Sequence, residues 1–319
     1  MKIIKKILIA IGIVILVLVV VVAILLFILS KQPAVRENYF TSVKTDAPLE
    51  AKYTAKGDCE VSYIEFDAKD DTYKKYEIWY PSEMNTKNKA YPLVIMANGS
   101  GTPASKYEAI FEHLASWGFI VVGNEDPSSW SGDSSDKSLD YILDLNELSD
   151  SVFYHKIDTE NIGIAGHSQG GVGAINAVTN QPNGNYYKAI YTASTTHRVL
   201  AEALEWPYDV SKIDIPYFMV AGTLKADAGD GVEGSSSVGI APLWSLQENY
   251  DAIDDDVAKI LSRRNNTDHG DMLPNADGYM TAWFMYYLKG DMEAGNVFFG
   301  ENPEILSNAN WQDTKININ

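Results

Sequence analysis

The most chemically pointed stretch of this 319-residue chain is a serine set between glycines, Gly166-His167-Ser168-Gln169-Gly170. A serine hydroxyl is a weak nucleophile until a neighbouring base takes its proton, so the pattern calls for a histidine and a group that orients it. By itself the pattern is a modest signal, and its surroundings do the discriminating. Ile162-Gly163-Ile164-Ala165 reads as a strand running into it, and Gly170-Gly171-Val172-Gly173-Ala174 as a small-residue helix running out. A nucleophile on so sharp a turn needs glycine on both sides, because a side chain there would collide with the adjoining strand and helix. The turn also sets the hydroxyl at a helix N-terminus, where the macrodipole favours developing negative charge.

The elements that must position this serine alternate along the chain. Val61–Phe66 and Tyr76–Tyr80 read as half-exposed strands, an antiparallel pair at a sheet edge, and Leu93–Ala97 as a buried strand ending in the turn Asn98-Gly99-Ser100-Gly101. Lys106–Trp117 has helical spacing, with Tyr107, Ile110, Phe111 and Leu114 on one face and Gly118 as its stop. Strands follow at Phe119–Val122, Ile162–Ala165, Ala189–Thr192, Tyr217–Ala221 and, last, Val257–Ser262. Between and after them come helices at Leu139–Phe153, Gly170–Thr179, Leu243–Ile253 and Tyr279–Leu288. This alternation implies an α/β protein whose mostly parallel central sheet is covered by helices on both faces. Sites in such sheets form at the carboxyl ends of the strands.

Three of these features together are specific: Asn98-Gly99-Ser100 after one strand, Ser116-Trp117-Gly118-Phe119 before the next, and Gly-His-Ser-Gln-Gly at the turn. Over roughly residues 60–290 the chain resembles the α/β-hydrolase superfamily, and within it the dienelactone hydrolase, chlorophyllase and cutinase-like polyester hydrolase branch. The resemblance implies the α/β-hydrolase fold and a catalytic order of Ser, then acid, then His. Of the five histidines, His113 and His155 precede the nucleophile, His167 lies inside the turn and His197 comes too early. His269, in the polar loop Asn265–Asp271 after the last expected strand, is the base that this order implies. The acid belongs just beyond Tyr217–Ala221, where Asp227 is preferred and Asp230 competes. The oxyanion donors are the backbone N–H of Gln169, next to the nucleophile, and, by analogy with the family, that of Ser100. Asp268 and Asp271 beside His269 are too few to hold a metal, and Asp227 and Asp230 lack calcium-loop spacing. Neither a metal nor a cofactor is expected.

Ile7–Leu29 is a run of 23 residues without a charge, long enough at about 1.5 Å per residue to cross a hydrocarbon core of roughly 30 Å. Its length exceeds the apolar core of a cleaved signal peptide. Lys2, Lys5 and Lys6 precede it, so residues 1–30 are expected to form a signal-anchor transmembrane helix with a cytoplasmic N-terminus. Residues 31–55, polar and broken by Pro33 and Pro48, read as a stalk, and 56–319 as an extracytoplasmic catalytic domain. The single cysteine, Cys59, cannot form an internal disulfide and reads as a small apolar filler. An extracytoplasmic domain without disulfides fits a bacterial cell surface. Beyond the leading lysines the chain carries 22 basic against 43 acidic residues, which excludes nucleic acid as a partner.

The expectation is therefore a membrane-anchored serine hydrolase cleaving small or polymeric carboxylic esters through an acyl-enzyme. Only about two dozen residues separate the strands at Ala189–Thr192 and Tyr217–Ala221, too few for a large lid, so the cleft should be open. Trp130, Trp206 and Trp244 fall on its side, where they either line a groove or pack the rim. A peptidase, thioesterase or acyltransferase would use the same residues, and a non-catalytic surface binding or scaffold protein is the reading from another class. The natural substrate and the oligomeric state are not encoded in these motifs.

Overall fold

Branched and aromatic side chains alternate along the central strands and so fill two cores, one on each face of a single sheet. The computed structural model describes residues 15–22, 24–25, 32–235 and 237–318. Its strands are β1 (Val61–Asp67), β2 (Lys75–Pro81), β3 (Tyr91–Ala97), β4 (Ile120–Asn124), β5 (Ile157–His167), β6 (Tyr187–Ala193), β7 (Tyr217–Gly222), β8 (Lys259–Arg264) and β9 (Trp311–Asn317). They form one sheet in the order β1-β2-β4-β3-β5-β6-β7-β8-β9. The run from β4 to β8 is parallel, whereas β1, β2 and β9 join their neighbours antiparallel.

The helices are α1 (Pro48–Thr54), α2 (Glu108–Ser116), α3 (Asp133–Glu147), α4 (Gln169–Asn180), α5 (Arg198–Ala203), α6 (Lys225–Ala228), α7 (Leu243–Ala252), α8 (Met272–Lys289), α9 (Met292–Gly295) and α10 (Glu304–Ser307). On β3, Val94 and Met96 point into one core with Phe111 of α2 and Trp283 and Phe284 of α8. Leu93, Ile95 and Ala97 point into the other with Ile142 of α3, Ile175 of α4 and Leu246 of α7. Each large apolar side chain so buried contributes about 1.5–3 kcal/mol. The expected α/β sheet with helices on both faces is what forms.

Three local expectations are corrected. The helix read at Leu139–Phe153 begins earlier and ends earlier, at Asp133–Glu147. Asp133 and Asp136 in its first turn meet the positive end of the helix, and Phe153 is buried from a loop instead. β8 is not the last strand, because β9 pairs along it. Its exposed Gln312 and Asp313 hide the strand among polar residues, and an edge strand needs only one covered face.

Of the segment 31–55 read as a stalk, residues 35–55 are packed into the catalytic unit. The compact unit begins at Val35, and Val35, Tyr39 and Tyr53 are buried in the α2–α8 core. Tyr39 donates its hydroxyl to Asp277 Oδ2 at 2.6 Å, and His113 Nδ1 lies 2.7 Å from the same oxygen. Burial pulls the His113 pKa down, but Asp277 and the carbonyls of Ala55 and Thr54 outweigh it and raise the value. The N–H groups of Leu49 and Glu50, unpaired at the start of α1, donate to the Glu304 carboxylate at 2.7 and 2.8 Å. Glu50 itself is buried against Arg264 and accepts from Trp311 Nε1 at 2.8 Å and Asn308 Nδ2 at 2.8 Å. A helix of seven residues is too short for its apolar period to show.

The other unit, Met1–Ala34, holds the apolar run assigned to a membrane span. Much of that run lies outside the described residues; 15–22 and 24–25 are helical, with exposed apolar side chains. Among the described residues no helix is long and apolar enough to cross a membrane.

Removing one partner of a buried ion pair strands the other charge. Glu50→Ala should therefore lower stability by roughly 3–5 kcal/mol in denaturant titrations of residues 35–319. A loss below about 1 kcal/mol would mean that Arg264 finds water or another partner.

Candidate active site

At the end of β5 the chain reverses into α4 through one residue. Ser168 takes φ 59° and ψ −122°, a conformation that costs a non-glycine residue on the order of 1–3 kcal/mol. Its neighbours leave no room for relief. A Cβ on Gly166 would stand 2.0 Å from the Gly170 carbonyl oxygen, and one on Gly170 would stand 2.1 Å from that of Ala97. Backbone bonds hold the turn. From the β6 side, Ser168 N–H donates to Ala193 O at 2.9 Å and Ser168 O accepts from Thr196 N at 3.4 Å. Within the turn itself, Ser168 O accepts from Gly171 N at 3.0 Å. Ser168 is half-buried at the carboxyl end of the sheet.

His269 lies in a single 3-10 turn, His269–Asp271, that leads from β8 into α8. Its ring donates from Nδ1 to Asp227 Oδ1 at 2.6 Å. A carboxylate only accepts, so this bond places the proton on Nδ1 and leaves the Nε2 lone pair free. Asp227, fully buried in α6, has its second oxygen occupied as well. Oδ2 accepts from Ser194 Oγ at 2.5 Å and from Gly222 N at 2.6 Å. Asp230 instead caps its own exposed loop, taking the Ser235 hydroxyl and the Val232 N–H. Of the two acids weighed from the sequence, it is Asp227 that meets the imidazole.

Two further residues, set aside in the sequence as a metal ligand and as a base, join these loops. Asp268 Oδ1 accepts from His269 N at 2.9 Å and Ala226 N at 2.8 Å, stapling the histidine turn to the segment that carries Asp227. His167 Nε2 donates to His269 O at 2.9 Å, and the two rings lie 4.7 Å apart. Burial first, and then the charge of His269, push the His167 pKa down to about 4, so it is neutral at ordinary pH. Ser194 could have been sought only as the residue that follows β6 at the carboxyl edge.

No hydrogen bond joins the Ser168 hydroxyl to His269 among the described residues. Such bonds often tighten only in the substrate complex. Gln169 N–H opens α4 and Ser100 is exposed in the turn after β3, on adjacent strands of the same edge. The connection between β6 and β7 holds only α5 and a 3-10 turn at Val210–Lys212, so no large lid covers this edge from there. Trp130 and Trp206 are half-buried, and Trp244 packs edge-on to the buried His197 ring at 5.1 Å. Among the described residues no three His, Cys, Asp or Glu side chains are grouped to hold a metal ion.

Residues 43–310 match the family model described as PETase: PET hydrolase-like. The chain is 32% identical over 143 residues to Cutinase 2 of Thermobifida cellulosilytica, covering 44% of this chain and 52% of that one. It is similarly 32% identical over 143 residues to Cutinase cut1 of Thermobifida fusca, covering 44% and 42%. With Cutinase est1 of Thermobifida alba it shares 26% identity over 223 residues, 67% of this chain and 65% of that one. The matches thus span about half to two thirds of the length of these relatives.

The buried neutral His167 gives stability a defined pH dependence. An unfolded histidine takes up a proton near pH 6.5, whereas folded His167 resists it down to about 4. Its contribution is therefore complete above pH 6.5 and lost as pH falls through that window, by up to about 3 kcal/mol. His167→Gln keeps a donor for His269 O without titrating. The difference in unfolding free energy between pH 7.5 and 4.5 should be smaller in this variant than in the wild type, with the His113 contribution common to both.

Proposed function

Because the chain belongs to the PET hydrolase-like family of α/β-hydrolases, we propose that it is a membrane-tethered, extracytoplasmic serine esterase using Ser168, His269 and Asp227. The observation that carries this reading is the 2.6 Å bond from His269 Nδ1 to buried Asp227, on the same sheet edge as the strained Ser168. His269 Nε2 takes the Ser168 proton as the hydroxyl attacks an ester carbonyl, and Asp227 stabilises the imidazolium that forms. The tetrahedral oxyanion rests on the N–H groups of Gln169 and Ser100. The imidazolium then protonates the departing alcohol, and a second cycle with water in place of alcohol releases the acid. The relatives' printed names, cutinase and PET hydrolase-like, together with an edge that carries no large lid, favour bulky external esters, polyesters included.

The tether rests on the uncharged run Ile7–Leu29 behind Lys2, Lys5 and Lys6. The full chain is expected in the membrane fraction after alkaline extraction, and a chain beginning at residue 35 in the supernatant. Release of the full chain by alkali would overturn the anchor.

Residues 35–319 should hydrolyse p-nitrophenyl acetate and butyrate, and Ser168→Ala should abolish turnover. Asp227→Asn inverts the donor to His269 and should lower kcat on the order of 10³–10⁴-fold. Asp230→Ala should leave kcat within about twofold. Folded wild-type protein that neither turns over these esters nor labels with a fluorophosphonate would refute the esterase reading.

A further inference from the structure

Given the esterase reading, on which this inference rests, an oxyanion hole built from Ser100 and Gln169 has a mechanical problem. The two N–H groups belong to different elements, the turn after β3 and the start of α4, yet must converge on one oxygen to within about 0.5 Å. Gln169 is set by the elbow. Ser100 is exposed, and its own turn is closed by the bond from Thr102 N to Gly99 O, 3.0 Å, and a longer one from the Thr102 hydroxyl to Ser100 O, 3.3 Å.

Two buried side chains tie this turn to the domain: the Tyr107 hydroxyl accepts from Gly99 N at 3.1 Å, and Asn98 fixes the turn to the neighbouring segment. Its side chain is buried, and Nδ2 donates to Asn124 O at 2.7 Å and Asp126 O at 2.9 Å. Its backbone carbonyl accepts the Ser129 hydroxyl at 2.6 Å and lies so close to Gly170 that a Cβ there would come within 2.7 Å. Asn98 therefore touches the residue after Gln169 on one side and is two positions from Ser100 on the other. The same segment, 124–129, grips the chain beyond Ser100 as well. Gly101 N donates to Pro127 O at 2.8 Å, and Ser105 bonds both oxygens of Glu125 at 3.0 and 3.1 Å. The segment is in turn fixed to α3, where Asn124 Nδ2 donates to Ser134 O and Ser138 Oγ, each at 2.9 Å. A buried amide costs free energy unless it is bonded, and packing at the end of β3 does not call for one. Asn98 Nδ2 directs its two shorter bonds to carbonyls of the gripping segment and a longer one, 3.4 Å, to Asn124 Oδ1, while Asn98 Oδ1 is buried with no partner among the described residues.

We propose that Asn98 is a positioning residue for the oxyanion hole, holding the Ser100 N–H at the separation from the Gln169 N–H that a tetrahedral intermediate needs, without itself touching substrate. The interaction matters where charge develops on oxygen, so its loss is read in kcat and not in ground-state binding.

The test is Asn98→Ala in residues 35–319, with rates expressed per Ser168 site titrated by a fluorophosphonate. The expected result for p-nitrophenyl butyrate is a kcat lower by about 10- to 100-fold, less than full deletion of a donor, with KM within about twofold. The Ki of butylboronic acid, whose tetrahedral adduct places an oxygen in the hole, should rise by a similar factor. A merely structural role would lower the unfolding midpoint and the titratable fraction. The kcat per site and the boronate Ki would then stay at wild-type values, and that result overturns the proposal. If Asn98→Ala does not fold, Ser129→Ala removes only the bond to the Asn98 carbonyl. A several-fold fall in its kcat at unchanged KM supports the proposal, and wild-type kcat overturns it. A wild type without turnover or labelling removes the esterase reading and this inference with it, whereas an active wild type matched by both variants removes this inference alone.

Discussion

Gly166 and Gly170 leave no space for a side chain, and that steric limit organises the molecule's working edge. The first lies against the backbone of α4 and the second against the carbonyl of Ala97 at the end of β3. Their contact forces β5 to turn within one residue and holds Ser168 in a left-handed conformation. β5 can do this only because it lies between β3 and β6, each of which bonds or abuts the turn. The two packed faces of the sheet thus offset the strain stored at the nucleophile.

The acid–base pair is placed by a different device. Asp227 and His269 come from loops after adjacent parallel strands, β7 and β8. Thr223 and Leu224 N–H both donate to Thr267 O, and Asp268 accepts from Ala226 N, so the two loops zip together before the ring meets the carboxylate. Ser194 and Gly222 then occupy the other carboxylate oxygen. With its lone pairs directed by neighbours on three sides, the buried carboxylate has little freedom to leave the imidazole.

At the opposite ends of the chain, α1 is clasped by the segment before β9. Glu304 caps the first turn of α1, while Glu50 receives Arg264, Trp311 and Asn308. A buried ion pair of this kind adds little net stability over an apolar contact, but breaking it is costly. Its consequence here is register: residues 35–55 dock in one place on the domain. Any tether upstream therefore joins a segment already packed into the core through Val35 and Tyr39.

The features legible in the sequence are those carried by neighbours along the chain. Strand and helix periods showed in the apolar pattern of β3, β4, α2 and α4, and the glycine spacing around Ser168 marked the elbow. His269 was marked by its place after the eighth strand. What escaped was non-local. Glu50 and Arg264 stand 214 residues apart, and Asn98 reaches Asp126 across 28. β9 is a strand only because β8 offers an open edge, and 35–55 is ordered only because α2 and α8 present a cleft to Tyr39 and Tyr53. Position favoured Asp227 over Asp230 without excluding the second, since both sit in one short glycine-rich stretch. Local sequence dictates the backbone turns that hydrogen bonding and sterics allow within a few residues. The partners of buried polar groups are chosen when distant segments compete for the same space, and that choice exists only in the folded chain.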